Sequence, residues 1–186
     1  MRVRIIAGEF GGRFIQTPPG STTHPMGERV RSAMFNSLGE TVRGARVLDA
    51  FAGTGNLGLE AWSRGAEQIV YFDKSRESLK LVRANVEKAR AGEAVTLIHT
   101  DAVNGLAMME QQGKQFDVIF SDPPYDKGLN QKVVEALEKW PVLKPGGLLV
   151  LEHSLGEDPG SYLPEGTEFR QEKYGDTKIS LIVWKS

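Results

Sequence analysis

From Val47 onward the chain repeats one alternation of apolar and polar stretches. Short, nearly continuous apolar runs, "RVLDA" (46–50), "QIVYFD" (68–73), "AVTLIH" (94–99), "FDVIFS" (116–121) and "LLVLEH" (148–153), read as strands. Helical stretches lie between them near 57–64, 76–90, 103–111 and 129–139. Strands apolar on both faces belong to a parallel sheet covered on both sides. The end of the chain differs. "TEFRQEKYG" and "TKISLIVWK" are two strands joined by a Gly-Asp turn with no helix between them, an antiparallel hairpin that finishes the sheet. The expected architecture is therefore a three-layer α/β sandwich around a seven-stranded, mostly parallel sheet.

The start is patterned otherwise. "RVRII" (2–6) and "GRFIQT" (12–17) alternate apolar with polar residues around the turn signal "GEFGG", which predicts a β-hairpin. A Pro/Gly/Ser/Thr-rich connector, "TPPGSTTHPMG" (17–27), follows it. "ERVRSAMFNSL" (28–38) then places Val30, Ala33, Met34 and Leu38 on one face of an amphipathic helix that stops at Gly39. Residues 1–26 are expected to form a hairpin-and-connector extension, and 27–186 the main domain.

The 186 residues suit one domain with a small appendage, and a chain of this size can bury about 70% of its unfolded surface. The absence of cysteine excludes disulfides, iron–sulfur clusters and thiolate zinc sites. No apolar run approaches the ~20 residues that span a bilayer, and the opening segment is too short for a secretory signal. A cytoplasmic protein is expected. The net charge is −1, but residues 1–46 carry seven arginines, no lysine and three glutamates, leaving +4 there and −5 in the remainder. Guanidinium forks bind phosphate oxygens bidentately, so this asymmetry fits a nucleic-acid partner, and Arg2, Arg4, Arg13 and Arg29 are the candidate contacts.

The first strand–helix turn reads "DAFAGTGNLG". Gly53, Gly55 and Gly58 match G-x-G-x-x-G, and Asp73 ends the next strand, so the face-value reading is an NAD site. Asp49 argues against it. An acid closing the strand would repel a pyrophosphate but favour a ligand bearing an ammonium or sulfonium. S-adenosylmethionine has both cations, a ribose for Asp73, and no phosphate. Asp101, in "HTDA", ends the third strand, where it could meet an adenine amino group. Each aspartate alone would read as a helix cap; three at successive strand ends, on the ligand-binding edge of such a sheet, point to a cofactor.

"SDPPYD" (121–126) follows the fourth strand. Two prolines fix φ and remove two backbone donors. A carboxylate, a bare carbonyl and an aromatic ring are thereby held together, a set suited to gripping a planar group that carries NH2. In order, "LDAFAGTGNLG", "YFDKS", "HTDA" and "SDPPYD" resemble the class I S-adenosylmethionine-dependent methyltransferases, and "DPPY" resembles the motif of those that methylate exocyclic or amide nitrogens. With "RIIAGEFGGR", "THPMGERVRSAMFNSL" and "YGDTKISLIVW" added, nearly the whole chain resembles the bacterial small-subunit (16S) ribosomal RNA guanine-N2 methyltransferases.

That resemblance implies a Rossmann-like fold, methyl transfer to the N2 amine of one guanine, and no metal. Asp122, Pro123, Pro124 and Tyr125 are the implied catalytic turn. The cofactor set is Asp49, Phe51, Gly53, Gly55, Asn56, Asp73, Lys74, Asp101, Ala102 and Asp122. Ribosomal RNA, free or within a small-subunit particle, is the implied partner of a monomeric enzyme. Phe35 and Asn36 would close over the cofactor, although core packing serves Phe35 as well. The chain departs from the family's usual T-R-P-T at Thr23, His24, Pro25 and Met26. His24, His99 and His153 lack metal spacing and suit structural roles, as does Trp62 in the core. Three other readings stay open: an amino-methyltransferase acting on adenine N6 or a glutamine amide, an NAD-linked oxidoreductase, and a non-catalytic RNA-binding module.

Overall fold

A computed structural model describes residues 3–19 and 26–185. Two antiparallel strands, β1 (Val3–Arg4) and β2 (Phe14–Ile15), precede helix α1 (Glu28–Leu38). Strands and helices then alternate through β3 (Arg46–Asp49), α2 (Asn56–Ser63), β4 (Gln68–Asp73), α3 (Arg76–Ala89), β5 (Val95–His99), α4 (Ala102–Gln111), β6 (Phe116–Ser121), α5 (Leu129–Lys139) and β7 (Leu143–Ser154). The chain ends in β8 (Phe169–Tyr174) and β9 (Thr177–Val183). The main sheet has seven strands in the order β5-β4-β3-β6-β7-β9-β8. The strands from β5 to β7 run parallel, and β9 pairs antiparallel with both β7 and β8. The expected sandwich and its terminal hairpin are both present. No described helix is long and apolar enough to cross a membrane.

The two-residue period of the strands builds a core on each face. Val47, Ile69, Tyr71, Val118 and Phe120 join one cluster with Met34, Phe35, Leu57 and Val82. Their neighbours Leu48, Val70, Phe72 and Ile119 join another with Leu106, Met109, Val133 and Leu137. Strand order reverses between β3 and β6, which opens a crevice at their carboxyl ends. Asp49, Phe120 and Val150 lie at one level there through the β3–β6 and β6–β7 registers.

The N-terminal hairpin has much shorter strands than the alternation suggests. Its bonding is diverted: the Ile6 and Ala7 amides donate to the Glu60 carboxylate of α2, at 2.7 and 3.2 Å, instead of to a partner strand. Gln16 N donates to Asn85 Oδ1 of α3 at 2.7 Å, and Phe10 stacks on Trp62 with centroids 4.1 Å apart. The buried side of α1 is also rotated from expectation, and includes Arg31 and Phe35. Arg31 lies 3.6 Å from Glu60, so a charged residue sits inside because its partner does.

Candidate active site

The loop after β3 is tied to both neighbouring strands, with Ala50 N donating to Phe120 O at 3.0 Å and Ala52 N to Phe72 O at 2.9 Å. Gly53 and Gly55 have φ of +56° and +84°, which strongly favours glycine. A Cβ built on Gly53 would meet nothing within 4 Å, so the loop faces open space there. Gly58 has another purpose. A Cβ would lie 2.4 Å from Tyr71 Oη, so this glycine lets α2 pack on β4.

Asp49 is fully buried at the end of β3. Its Oδ1 accepts from Phe51 N at 3.3 Å, whereas Oδ2 is buried with no donor. Burial, and secondarily Asp73, pushes its pKa up to about 8. An orphaned carboxylate oxygen beside an open glycine loop fits a cationic ligand such as S-adenosylmethionine, and fits a pyrophosphate poorly. Asp73 accepts from Gly53 N at 3.1 Å and Ser75 N at 2.8 Å, and so bridges the loop to α3. Asn56 and Ala102 are buried at the first positions of α2 and α4, Phe51 is half-buried, and Lys74 is exposed. Asp101 caps α4, accepting from Asn104 N at 2.9 Å and from Asn104 Nδ2 at 2.6 Å. Both of its oxygens are engaged by the cap.

The pKa of Asp49 has a stability consequence. The folded protein retains a proton that the unfolded chain gives up between the ordinary value of 3.8 and about 8. Stability should therefore fall as pH rises through that window. Asp49→Asn removes this loss. The variant is expected to melt above the wild type near pH 8, with the advantage fading toward about pH 4. Equal melting temperatures at both pH values would show that Asp49 is not strained.

Asp122 leaves β6 directly after Ser121. Beneath this turn Ser121 Oγ donates to Asn130 Oδ1 at 2.7 Å, and Asn130 Nδ2 donates to the Glu152 carbonyl at 2.9 Å, pinning α5 to β7. Pro123 is buried and Pro124 exposed. Tyr125 is 40% exposed, yet its hydroxyl is held: Oη donates to Glu152 Oε1 at 2.9 Å and touches Thr177 Oγ1, which itself lies 3.1 Å from Glu152 Oε1. The ring thus offers a face to solvent while its tip is fixed. Asp122 and Glu152 line one small space with Phe120 and Ser121. The Asp122 carboxyl is held well above the usual range, first by burial, then by Glu152, then by Asp49.

Glu152 and Thr177 are the residues that sequence reasoning missed. Glu152 was read only as part of an apolar strand; an acid inside such a run, at the level of the strand ends, was the available signal. The structure brings Asp49, Asp73, Asp122 and Tyr125 to one edge. His153 serves structure, with Nε2 2.7 Å from Ser180 Oγ, and the His99 ring meets the Lys74 carbonyl at 3.0 Å. Phe35 is buried against Phe120 with centroids 5.5 Å apart, whereas Asn36 is exposed. Arg4 pairs with Glu28, Arg13 lies over the Phe10 ring at 4.7 Å, and Arg29 is exposed on α1. Arg2, Thr23, His24 and Pro25 fall outside the described residues, while Met26 is buried.

The sheet order, the antiparallel end, the open glycine loop and the acid-ended strands together define an α/β methyltransferase. The family model described as "Conserved hypothetical protein 95" matches residues 3–183. "Ribosomal RNA small subunit methyltransferase D" of Escherichia coli (strain K12) is 34% identical over 137 residues, covering 74% of this chain and 67% of that protein. The Haemophilus influenzae protein of the same name is 30% identical over 172 residues, covering 92% and 88%. The solved structure of yhhF from Escherichia coli matches with a TM-score of 0.86 at 28% identity, over 100% of this chain and 99% of that one. The chain belongs to the "Conserved hypothetical protein 95" family, a family of S-adenosylmethionine-dependent methyltransferases.

Proposed function

We propose that this protein transfers a methyl group from S-adenosylmethionine to the exocyclic N2 amine of a guanine in small-subunit ribosomal RNA. The observation that carries this reading is the turn from Asp122 to Tyr125, which sets a carboxyl group and a tethered, open-faced aromatic ring at the crevice beside the glycine loop. The relatives named as small-subunit ribosomal RNA methyltransferases support it.

An aryl amine is a poor nucleophile because its lone pair is delocalised into the ring. Asp122 and the Pro123 carbonyl each accept one N–H, which draws the nitrogen toward tetrahedral geometry and frees the pair. S-adenosylmethionine supplies an activated methyl group on a sulfonium. Asp49 and the loop from Phe51 to Asn56 would hold its cationic and methionine parts, with Asp73 and Lys74 toward the ribose and Asp101 and Ala102 toward the adenine. Orientation of this kind can supply about 7–11 kcal/mol of the barrier. Tyr125 stacks on the target base, a contact typically worth ~1–3 kcal/mol. The base must leave its helix to reach the crevice.

Residues 1–26 act in this reading as an RNA-engaging extension of the methyltransferase domain 27–186, in a cytoplasmic monomer. A cavity of about 390 Å³ beyond the turn is lined by Asp126, Glu157 and Asp158 and would repel phosphate. RNA therefore approaches from the arginine-bearing side. Arg13→Ala combined with Arg29→Ala should raise the KM for RNA and flatten its log–log salt dependence by about 0.7–0.9 unit per lost contact. S-adenosylmethionine affinity should be unchanged. Normal methylation across about 50–200 mM salt would remove these residues from the RNA surface.

The proposed activity is tested with tritiated S-adenosylmethionine and undermodified ribosomal RNA, naked or in small-subunit particles, followed by digestion to nucleosides. Label in N2-methylguanosine is expected. Label in N6-methyladenosine, or in protein alone, would overturn the substrate assignment.

A further inference from the structure

Helix α3 buries Val82, Asn85, Val86 and Ala89, so an amide lies in an otherwise apolar stripe. Asn85 is completely buried, and a buried amide is costly unless it is hydrogen-bonded. Its bonds lead to the backbone of two other segments. Nδ2 donates to the Thr54 carbonyl at 2.8 Å and to the Gln16 carbonyl at 3.0 Å, and Oδ1 accepts from Gln16 N at 2.7 Å. Only one orientation of the amide fits. Turned over, its oxygen would face two carbonyls and its NH2 an N–H.

Thr54 lies between Gly53 and Gly55 in the loop after β3, and Gln16 directly follows β2 in the N-terminal extension. One side chain, 31 positions from the first and 69 from the second, thus joins the extension to the loop. The same helix supports the loop again one turn earlier, where a Cβ on Gly55 would lie 3.1 Å from Val82 Cγ1. Tyr71 Oη donates to the Gly55 carbonyl at 2.7 Å. The Thr54 hydroxyl is buried with no partner, so Asn85 holds this residue through its carbonyl. The loop is open at Gly53, where an added Cβ would meet nothing within 4 Å. A loop already held from behind has less freedom to lose when a ligand seats on it.

We propose that Asn85 is a positioning residue for this loop, and that through it the N-terminal extension forms part of the apparatus that binds S-adenosylmethionine. The inference rests on the methyltransferase reading, which seats the cofactor on the loop. Gln16 clamps the amide with two bonds and so fixes the orientation in which the third reaches Thr54. Without the clamp the amide is free to turn, and the Thr54 carbonyl loses its donor for part of the time. The coupling is reciprocal: a ligand that favours the ordered loop must also hold Gln16 in place.

Two variants of the full chain separate the two halves of this link. Gln16→Pro removes the N–H that Oδ1 accepts and leaves Asn85 unaltered, whereas Asn85→Asp keeps the shape and removes both donors. Calorimetry with S-adenosylhomocysteine, run well below each variant's melting transition, should show affinity weakened about three- to tenfold in Gln16→Pro, the effect of one lost hydrogen bond. Asn85→Asp leaves buried carbonyls unpaired and should weaken it about ten- to a hundredfold. In the wild type, saturating ligand should slow NMR-detected amide exchange at Gln16 by about the factor that Gln16→Pro costs in affinity. A merely structural bond would give no such response, and Asn85→Asp should lose it. Affinity within about twofold of wild type in Gln16→Pro, or exchange at Gln16 indifferent to the ligand, would overturn the proposal. The exchange measurement uses the wild type alone, so it decides the matter even where a variant fails to fold. Failure of the wild type to bind S-adenosylmethionine or S-adenosylhomocysteine would instead overturn the methyltransferase reading.

Discussion

Asp122→Ala is expected to slow single-turnover methyl transfer by about 10²–10⁴-fold, the usual contribution of a positioned proton acceptor. Among the described residues the charged groups acting on this side chain are Glu152 and Asp49, both acids. Removing it relieves one of two crowded carboxyls, so the variant should fold and melt at or above the wild-type temperature. Tyr125 keeps its tether, because the Glu152 oxygen that accepts from it at 2.9 Å is untouched. S-adenosylmethionine should still bind, since Asp49, Gly53 and Asp73 are unaltered. Rapid-quench kinetics with saturating RNA, alongside calorimetry for the cofactor, separates these effects. If the variant retains more than about a tenth of the wild-type rate, less than ~1.4 kcal/mol of the barrier depends on the side chain, and its orienting role is wrong.

Glu60→Ala should produce the largest loss of stability. Glu60 is fully buried and holds four groups: the Ile6 and Ala7 amides at 2.7 and 3.2 Å, Arg31 Nε at 3.6 Å and Arg64 Nε at 3.2 Å. Arg31 is equally buried, and burial already lowers its pKa against the opposing pull of Glu60. Deleting the acid strands that guanidinium without its countercharge and leaves two amides unpaired. Breaking a buried ion pair from one side costs about 3–5 kcal/mol, which lowers Tm by on the order of 10 °C in a chain this size. Hydrogen exchange at Ile6 and Ala7 should accelerate, because the hairpin loses its anchor. A Tm within about 2 °C of wild type would show that the pair contributes little.

These two residues mark where the sequence was legible and where it was not. The central strands could be read because both faces are apolar, and Asp49 and Asp73 because each directly follows such a run. The prolines announced the turn at Asp122. Glu60 and Arg31 could not be read, since each is an ordinary charged residue on an amphipathic helix until its partner, 29 positions away, is known. Glu152 was hidden in the same way. Its importance comes from the β6–β7 register, which sets it beside Asp122, and from Thr177 on a strand that joins the sheet last. The short N-terminal strands follow from the same cause: local alternation suggested a longer hairpin, but Glu60 takes the amides that would have extended it. Asp101 shows the reverse, a cofactor candidate whose visible bonds are those of a helix cap.

The most direct test of the central claim replaces the mapped target guanosine by inosine, which lacks only the N2 amine, in an otherwise identical RNA substrate. Methyl transfer to that position should disappear while RNA binding persists. Continued methylation of the inosine-containing RNA would mean that the group held at Asp122 and Tyr125 is not the guanine N2 amine.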